Sequence, residues 1–168
     1  MAGHGDLIES DWYLTPHDAA TPENEDDVKK GGISTKYIHD VLKGFKAQKV
    51  FMVIDACKSG GIVLAMTGVR GYEDRKALIR LGRSTGTYIL SASTEKQFAS
   101  EVKELGHGIL TYSMLEGLKG KAGDKIVTVE GLIHYVKNRL PELTEKYRGA
   151  SQWPVSWGSG TDFPLVLH

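Results

Sequence analysis

The chain is poor in cysteine, with one in 168 residues, and this single shortage excludes several classes at once. One cysteine cannot close an internal disulfide, and an oxidising compartment would put its free thiol at risk. Excess charge is lacking too. Lysine plus arginine (21) cancels aspartate plus glutamate (21), so bulk charge argues for neither nucleic acid nor an anionic membrane as partner. No apolar run approaches membrane-spanning length, and no signal-peptide pattern or repeat is present. With a free thiol and no leader, the expected setting is the reducing cytoplasm. What remains is 40% hydrophobic and 25% charged, the composition of an ordinary globular chain, and by length one domain, 1–168.

The most informative stretch is Lys49-Val-Phe-Met-Val-Ile-Asp-Ala-Cys-Lys-Ser-Gly-Gly61. Val50 to Ile54 is an unbroken, β-branched apolar run, which predicts a central parallel strand buried on both faces. Such a strand delivers its following residues to the carboxyl edge of the sheet, where open α/β folds keep their ligand sites. Those residues are Asp55, Ala56 and Cys57, then Ser59-Gly60-Gly61, where glycine lets a substrate backbone approach. A lone cysteine is also commonly a small buried apolar residue, so the surrounding pattern has to decide.

Along the chain, Asp6 to Thr15 reads as a β-hairpin and Pro16 to Gly32 as a solvated loop. Ser34 caps a predicted helix to about Phe45, with Ile38, Val41, Leu42 and Phe45 as its inward stripe. After a glycine-bearing loop from Ser59 to Tyr72, Glu73 to Leu81 fits a short helix and Thr87 to Leu90 a second buried strand. A strand–helix–strand crossover to a parallel neighbour follows from this order. Gln97 to Lys103 reads as an edge ribbon, Ile109 to Leu118 as a helix with Leu110, Met114, Leu115 and Leu118 inward, and Gly120 to Asp124 as a turn. Thr128 caps the longest helix, its stripe Val129, Leu132, Ile133, Val136 and Leu140 running until Pro141 breaks or restarts it. Gln152 to Trp157 is expected as a loop and Asp162 to Leu167 as a last strand. The alternation predicts a three-layer α/β/α fold with a mostly parallel central sheet.

Ala2-Gly-His4-Gly5 stands upstream of Asp55-Ala-Cys57-Lys-Ser-Gly60. Caspases carry a Gly-ended cysteine signature with a histidine about 50 residues before it. The pair resembles the two catalytic motifs of caspase-like cysteine peptidases, in their metacaspase and bacterial caspase-like branch. Arg75-Lys-Ala-Leu, Leu90-Ser-Ala-Ser93, Gly106-His-Gly-Ile-Leu-Thr-Tyr112 and Gln152-Trp-Pro extend the likeness over nearly the whole chain. It implies a caspase-like fold without the family's first strands, to be supplied by a longer chain or another polypeptide.

The resemblance also implies roles. His4 and Cys57 would form the catalytic dyad, with the backbone N–H groups of Gly5 and Cys57 as oxyanion hole. Asp55 would line the pocket for the side chain preceding the scissile bond and select arginine or lysine. Ser91, Ser93 and Glu95 lie in a stretch similar to the loop that completes that pocket; many metacaspases carry cysteine at the Ser93 position and aspartate at the Glu95 position. Relatives are often cut after the nucleophile, which makes Arg70, in the glycine-bearing loop, the candidate self-cleavage position. Some metacaspases depend on calcium. The acidic run Glu23-Asn-Glu-Asp-Asp27 lacks the alternate ligands and turn glycine of an EF-hand, so no metal or other cofactor is expected. The expected partners are peptides or proteins bearing arginine or lysine, and not nucleic acid or membrane.

Alternatives stay open. His107 lies in a second Gly-His-Gly triplet, and Cys57 with His107 would suit a different thiol hydrolase, such as an amidase. A catalytically silent, protein-binding caspase-like module is the second functional class. His17, His39, His134 and His168 have no motif around them and are expected at the surface.

Overall fold

A computed structural model of the chain describes residues 2–9, 11–16, 24–56, 87–92, 101–102 and 105–168. Strand β4 (Val50–Ala56) runs parallel to β5 (Thr87–Ser91), with Val50 opposite Thr87 and Ile54 opposite Ser91. Because side chains alternate along a strand, the two strands divide their apolar residues between the faces of the sheet. Phe51, Val53, Tyr88, Leu90 and Ala92 join one core cluster; Met52, Ile54, Ala56 and Ile89 join another. Helices cover both sides. Helices α3 (Ile109–Glu116) and α4 (Val129–Arg148) supply Leu110, Leu132, Val136 and Leu140 to the first cluster. Helix α2 (Thr35–Lys43) supplies Ile38 and Leu42 to the second. The arrangement is α/β. Within β4, Ile54 and Ala56 are fully buried while Val50 to Val53 are only partly so, because the described pairing of β1 (Ala2–Ile8) with β4 reaches only Asp55 and Ala56.

The expectation of a mostly parallel sheet is corrected. The six strands lie in the order β3-β2-β1-β4-β5-β9, where β2 is Asp11–Thr15, β3 Ile33–Ser34 and β9 Val155–Ser159. Of the five pairings described, β1 with β4 and β4 with β5 are parallel; the other three are antiparallel. The reason is local for β1 and β2, which join through a tight turn at Glu9 that only antiparallel strands can use. That hairpin pairs from His4 rather than Asp6, on a strand that begins at Ala2.

Part of the expected loop from Pro16 to Gly32 is helix α1 (Glu25–Gly31). It has almost no apolar periodicity, burying only Val28, and is favoured instead by its ends. The Asn24 side chain accepts from the Asp26 N–H, Glu25 to Asp27 lie in the first turn, and Lys29 and Lys30 in the last. The acidic run is thus the start of a helix. Ser34 caps α2 as predicted, accepting from the Tyr37 N–H. Its stripe is narrower than expected: Val41 and Phe45 are exposed, Phe45 lying beyond the Gly44 cap.

Three further corrections fall in the second half. Leu115 faces outward and Ile109 inward on α3; a π-helical turn (Gly117–Lys121) prolongs the helix into the expected turn, where Gly120 leaves helical geometry at φ 107°. Helix α4 passes through Pro141 to a left-handed Gly149 cap. Its predicted stripe is buried throughout, so packing holds the helix across the missing N–H. Val155–Ser159, read as mostly loop, is edge strand β9 against β5. Its small residues hide the pattern, and Gly158 is required because a Cβ there would run into the Tyr88 ring. Two short ribbons complete the described chain: β6 (Glu101–Val102) with β7 (His107–Gly108), and β8 (Ile126–Thr128) with β10 (Pro164–Leu167). The crossover helix expected at Glu73–Leu81 lies outside the described residues. Among those described, no helix is long and apolar enough to cross a membrane.

One ion-pair cluster ties α3 to α4. Glu116 accepts from Arg139 Nε at 2.9 Å and also pairs with Lys121, and the hydrogen bond from Arg139 is the main reason its carboxyl is held down at about 2. A folded value below the unfolded one contributes stability that is present above about pH 4.5 and is lost as pH falls through 2. Glu116→Gln is expected to remove that dependence, lowering stability near neutrality by on the order of 1–2 kcal/mol and flattening the melting temperature between pH 5 and pH 2. Calorimetry of both proteins across that range checks it; parallel profiles would mean the cluster contributes nothing.

Candidate functional site

The carboxyl end of β4 is the meeting point of β1, β4 and the start of α3. Strand β1 enters beside it in parallel, Ala2 opposite Asp55 and Gly3 opposite Ala56, then continues past the edge into the hairpin. His4 is two residues beyond Ala2 and therefore falls on the same face of the sheet as Asp55, the face covered by α3 and α4. His4 is exposed; Gly5, opposite Leu14, is buried. Cys57 lies outside the described residues, as do Ser93, Glu95 and Arg70. In the chain Cys57 follows Ala56 as His4 follows Gly3, and Gly3 and Ala56 are register partners.

Asp55 is half-buried and closely held. Its Oδ2 accepts from Thr111 Oγ1 at 2.6 Å and from the Thr111 N–H at 3.3 Å. Thr111 is the third residue of α3, whose N-cap, Gly108, has no side chain with which to cap. A carboxylate from another strand thus takes that task, at the helix end where an anion is favoured. Gly108 must be bare for this: a Cβ there would come within 2.5 Å of Asp55 Oδ2.

Sequence reasoning missed Thr111 and Gly108; the only signal was a glycine three positions before a threonine at a helix start. His107 reaches the same region by a different route. It is exposed in β7, one residue from the glycine that packs against Asp55. The structure therefore brings both candidate histidines to the end of β4.

Ser91 is not brought to that face. It is fully buried at the end of β5, and its alternation with Ala92 places it on the α2 side. Beyond it, Ala92 donates its N–H to the Ile54 carbonyl, and Gln152 Nε2 donates to the Ala92 carbonyl. The Gln152 backbone N–H in turn donates to Thr144 Oγ1 on α4. These bonds tie the start of the stretch that would line the pocket to both β4 and α4. Of the other histidines, His134 and His168 are exposed, whereas the His39 side chain is mostly buried; His17 lies outside the described residues.

Two described surface clefts of about 310 and 390 Å³ flank α4, and neither is lined by His4, Asp55 or Thr111. No cluster of three or more metal-ligating side chains occurs among the described residues. No family model matches the chain, and no curated protein matches it in sequence.

Proposed function

We propose that the chain is a cysteine endopeptidase of the caspase-like kind, in which His4 and Cys57 act as a dyad on peptide bonds that follow arginine or lysine. The observation carrying this reading is the parallel register of β1 and β4. Gly3 stands opposite Ala56, and the next residues in sequence are His4 and Cys57, the two members of the proposed dyad. His107 has no comparable strand register with β4, which favours His4 as the partner.

The chemistry needs no cofactor. A thiol titrates near 8.5, and an adjacent imidazole raises its thiolate fraction near neutral pH. The Cys57 thiolate attacks the scissile carbonyl carbon, and the resulting oxyanion is held by the backbone N–H groups of Gly5 and Cys57. As the C–N bond breaks, the His4 imidazolium gives its proton to the departing amine. Water, deprotonated by His4, then cleaves the thioester and restores the thiol. Asp55, with Glu95, would supply negative charge for a basic side chain; a planar guanidinium is the better fit to a carboxylate.

A peptidyl arginyl chloromethyl ketone tests the reading directly. The intact protein is expected to gain one adduct on Cys57, read by mass spectrometry, with an aspartyl analogue far slower. Slow labelling that does not distinguish the two reagents would overturn the peptidase and favour a protein-binding module instead.

A further inference from the structure

We infer that Thr111 and the bare Cα of Gly108 form the positioning pair that sets the arginine preference of this site, by fixing the plane in which Asp55 presents its carboxylate. The inference rests on the proposed peptidase reading and adds to it the element that decides specificity. Two donors of one residue converge on one oxygen, Thr111 Oγ1 at 2.6 Å and Thr111 N at 3.3 Å from Asp55 Oδ2. Convergence on Oδ2 restrains rotation of the carboxylate as well as its position. That matters because arginine binds a carboxylate through two parallel N–H···O bonds, which require a fixed plane, whereas a lysine ammonium acts as a point charge.

Gly108 contributes through what it lacks. Its backbone lies at φ −56°, ψ 146°, a conformation open to any residue, so glycine is not demanded by the chain path. It is demanded by the carboxylate, which occupies the space a Cβ would fill. Thr111 touches no reacting atom in this scheme and acts only through Asp55.

The test compares two otherwise identical peptide amides with arginine or glutamine before the scissile bond, reading the ratio of their kcat/KM values on the full chain. Thr111→Val, which keeps the shape and the backbone N–H but loses the hydroxyl, is expected to lower the arginine-to-glutamine ratio about tenfold. Thr111→Ser is expected to keep that ratio within about twofold. Gly108→Ala displaces the carboxylate without touching Thr111 and is expected to lower the ratio as Thr111→Val does, which keeps the question decidable if either variant fails to fold. Weakening of α3 alone would slow both substrates together and leave the ratio unchanged. A wild-type arginine preference that survives in the folded variants would overturn this inference while leaving the peptidase reading standing. A wild-type protein that cleaves neither peptide would overturn both; one that cleaves both without arginine preference would overturn the basic specificity and this inference with it, and leave a peptidase of other specificity.

Discussion

Cys57→Ala is expected to abolish cleavage of an arginyl peptide amide, and His4→Ala to lower kcat by about 10²–10⁴, with melting temperatures close to wild type. The two losses differ in size because the steps differ. Without the thiol there is no acyl intermediate, whereas without the imidazole a small thiolate fraction persists and water can protonate the leaving amine, slowly. The unchanged stability expected for His4→Ala follows from its exposure at the edge of the sheet and from a strand pairing made by its backbone, which alanine preserves. Two further measurements sharpen the assignment. The pH dependence of kcat/KM is expected to lose its lower limb in His4→Ala if the imidazole is the base. His107→Ala is expected to retain most activity. Retained activity in His4→Ala together with its loss in His107→Ala would transfer the base to β7, which lies against Asp55 through Gly108.

Trp12→Ala is expected to destabilise the fold by about 3–5 kcal/mol, seen as a lower midpoint in urea with little change in slope. Trp12 is fully buried and packs with Leu14, Ile38, Ile54, Ala56 and Ile89, joining the hairpin, α2 and both central parallel strands. Its backbone is held as well: the Trp12 N–H donates to Thr35 Oγ1 at 3.2 Å, and that hydroxyl donates to the Trp12 carbonyl at 2.9 Å. Removing the indole therefore leaves a large cavity that the tethered backbone cannot collapse to fill. The same strand pair carries His4, since Leu7 stands opposite Trp12 and His4 opposite Thr15. Activity of the folded fraction of Trp12→Ala is expected to fall too. A loss below about 1 kcal/mol would mean that the hairpin is not anchored through this side chain.

Much of the local structure was legible without coordinates. Ser34 and Thr128 cap their helices through their hydroxyls, and the stripe Val129, Leu132, Ile133, Val136 and Leu140 is buried as its spacing requires. The parallel neighbours β4 and β5 were legible because both are short apolar runs separated by enough chain for a crossover. These features depend on residues near one another in sequence, and physical chemistry at that range is readable. The acid-rich stretch before Lys29 was less so. Without apolar periodicity it looks like a loop, and only its capping and end charges make it α1.

The arrangement at the end of β4 could not be read the same way. Sequence put an aspartate two residues before the sole cysteine; it could not say that Thr111, 56 positions on, would fix that aspartate, or that Gly108 would be bare to admit it. Nor could it place Ser91 on the opposite face from His4, since that follows from the register of β4 on β5 and of β1 on β4 together. By itself the sequence determined which residue types are available and where the strongly patterned elements lie, α2, α4, β4 and β5 among them, because capping, periodicity and chain reach act locally. Only tertiary structure decided which of them share a face and which polar groups close on one another. Register and long-range hydrogen bonds are set by the packing of the whole sheet, and no local pattern encodes them.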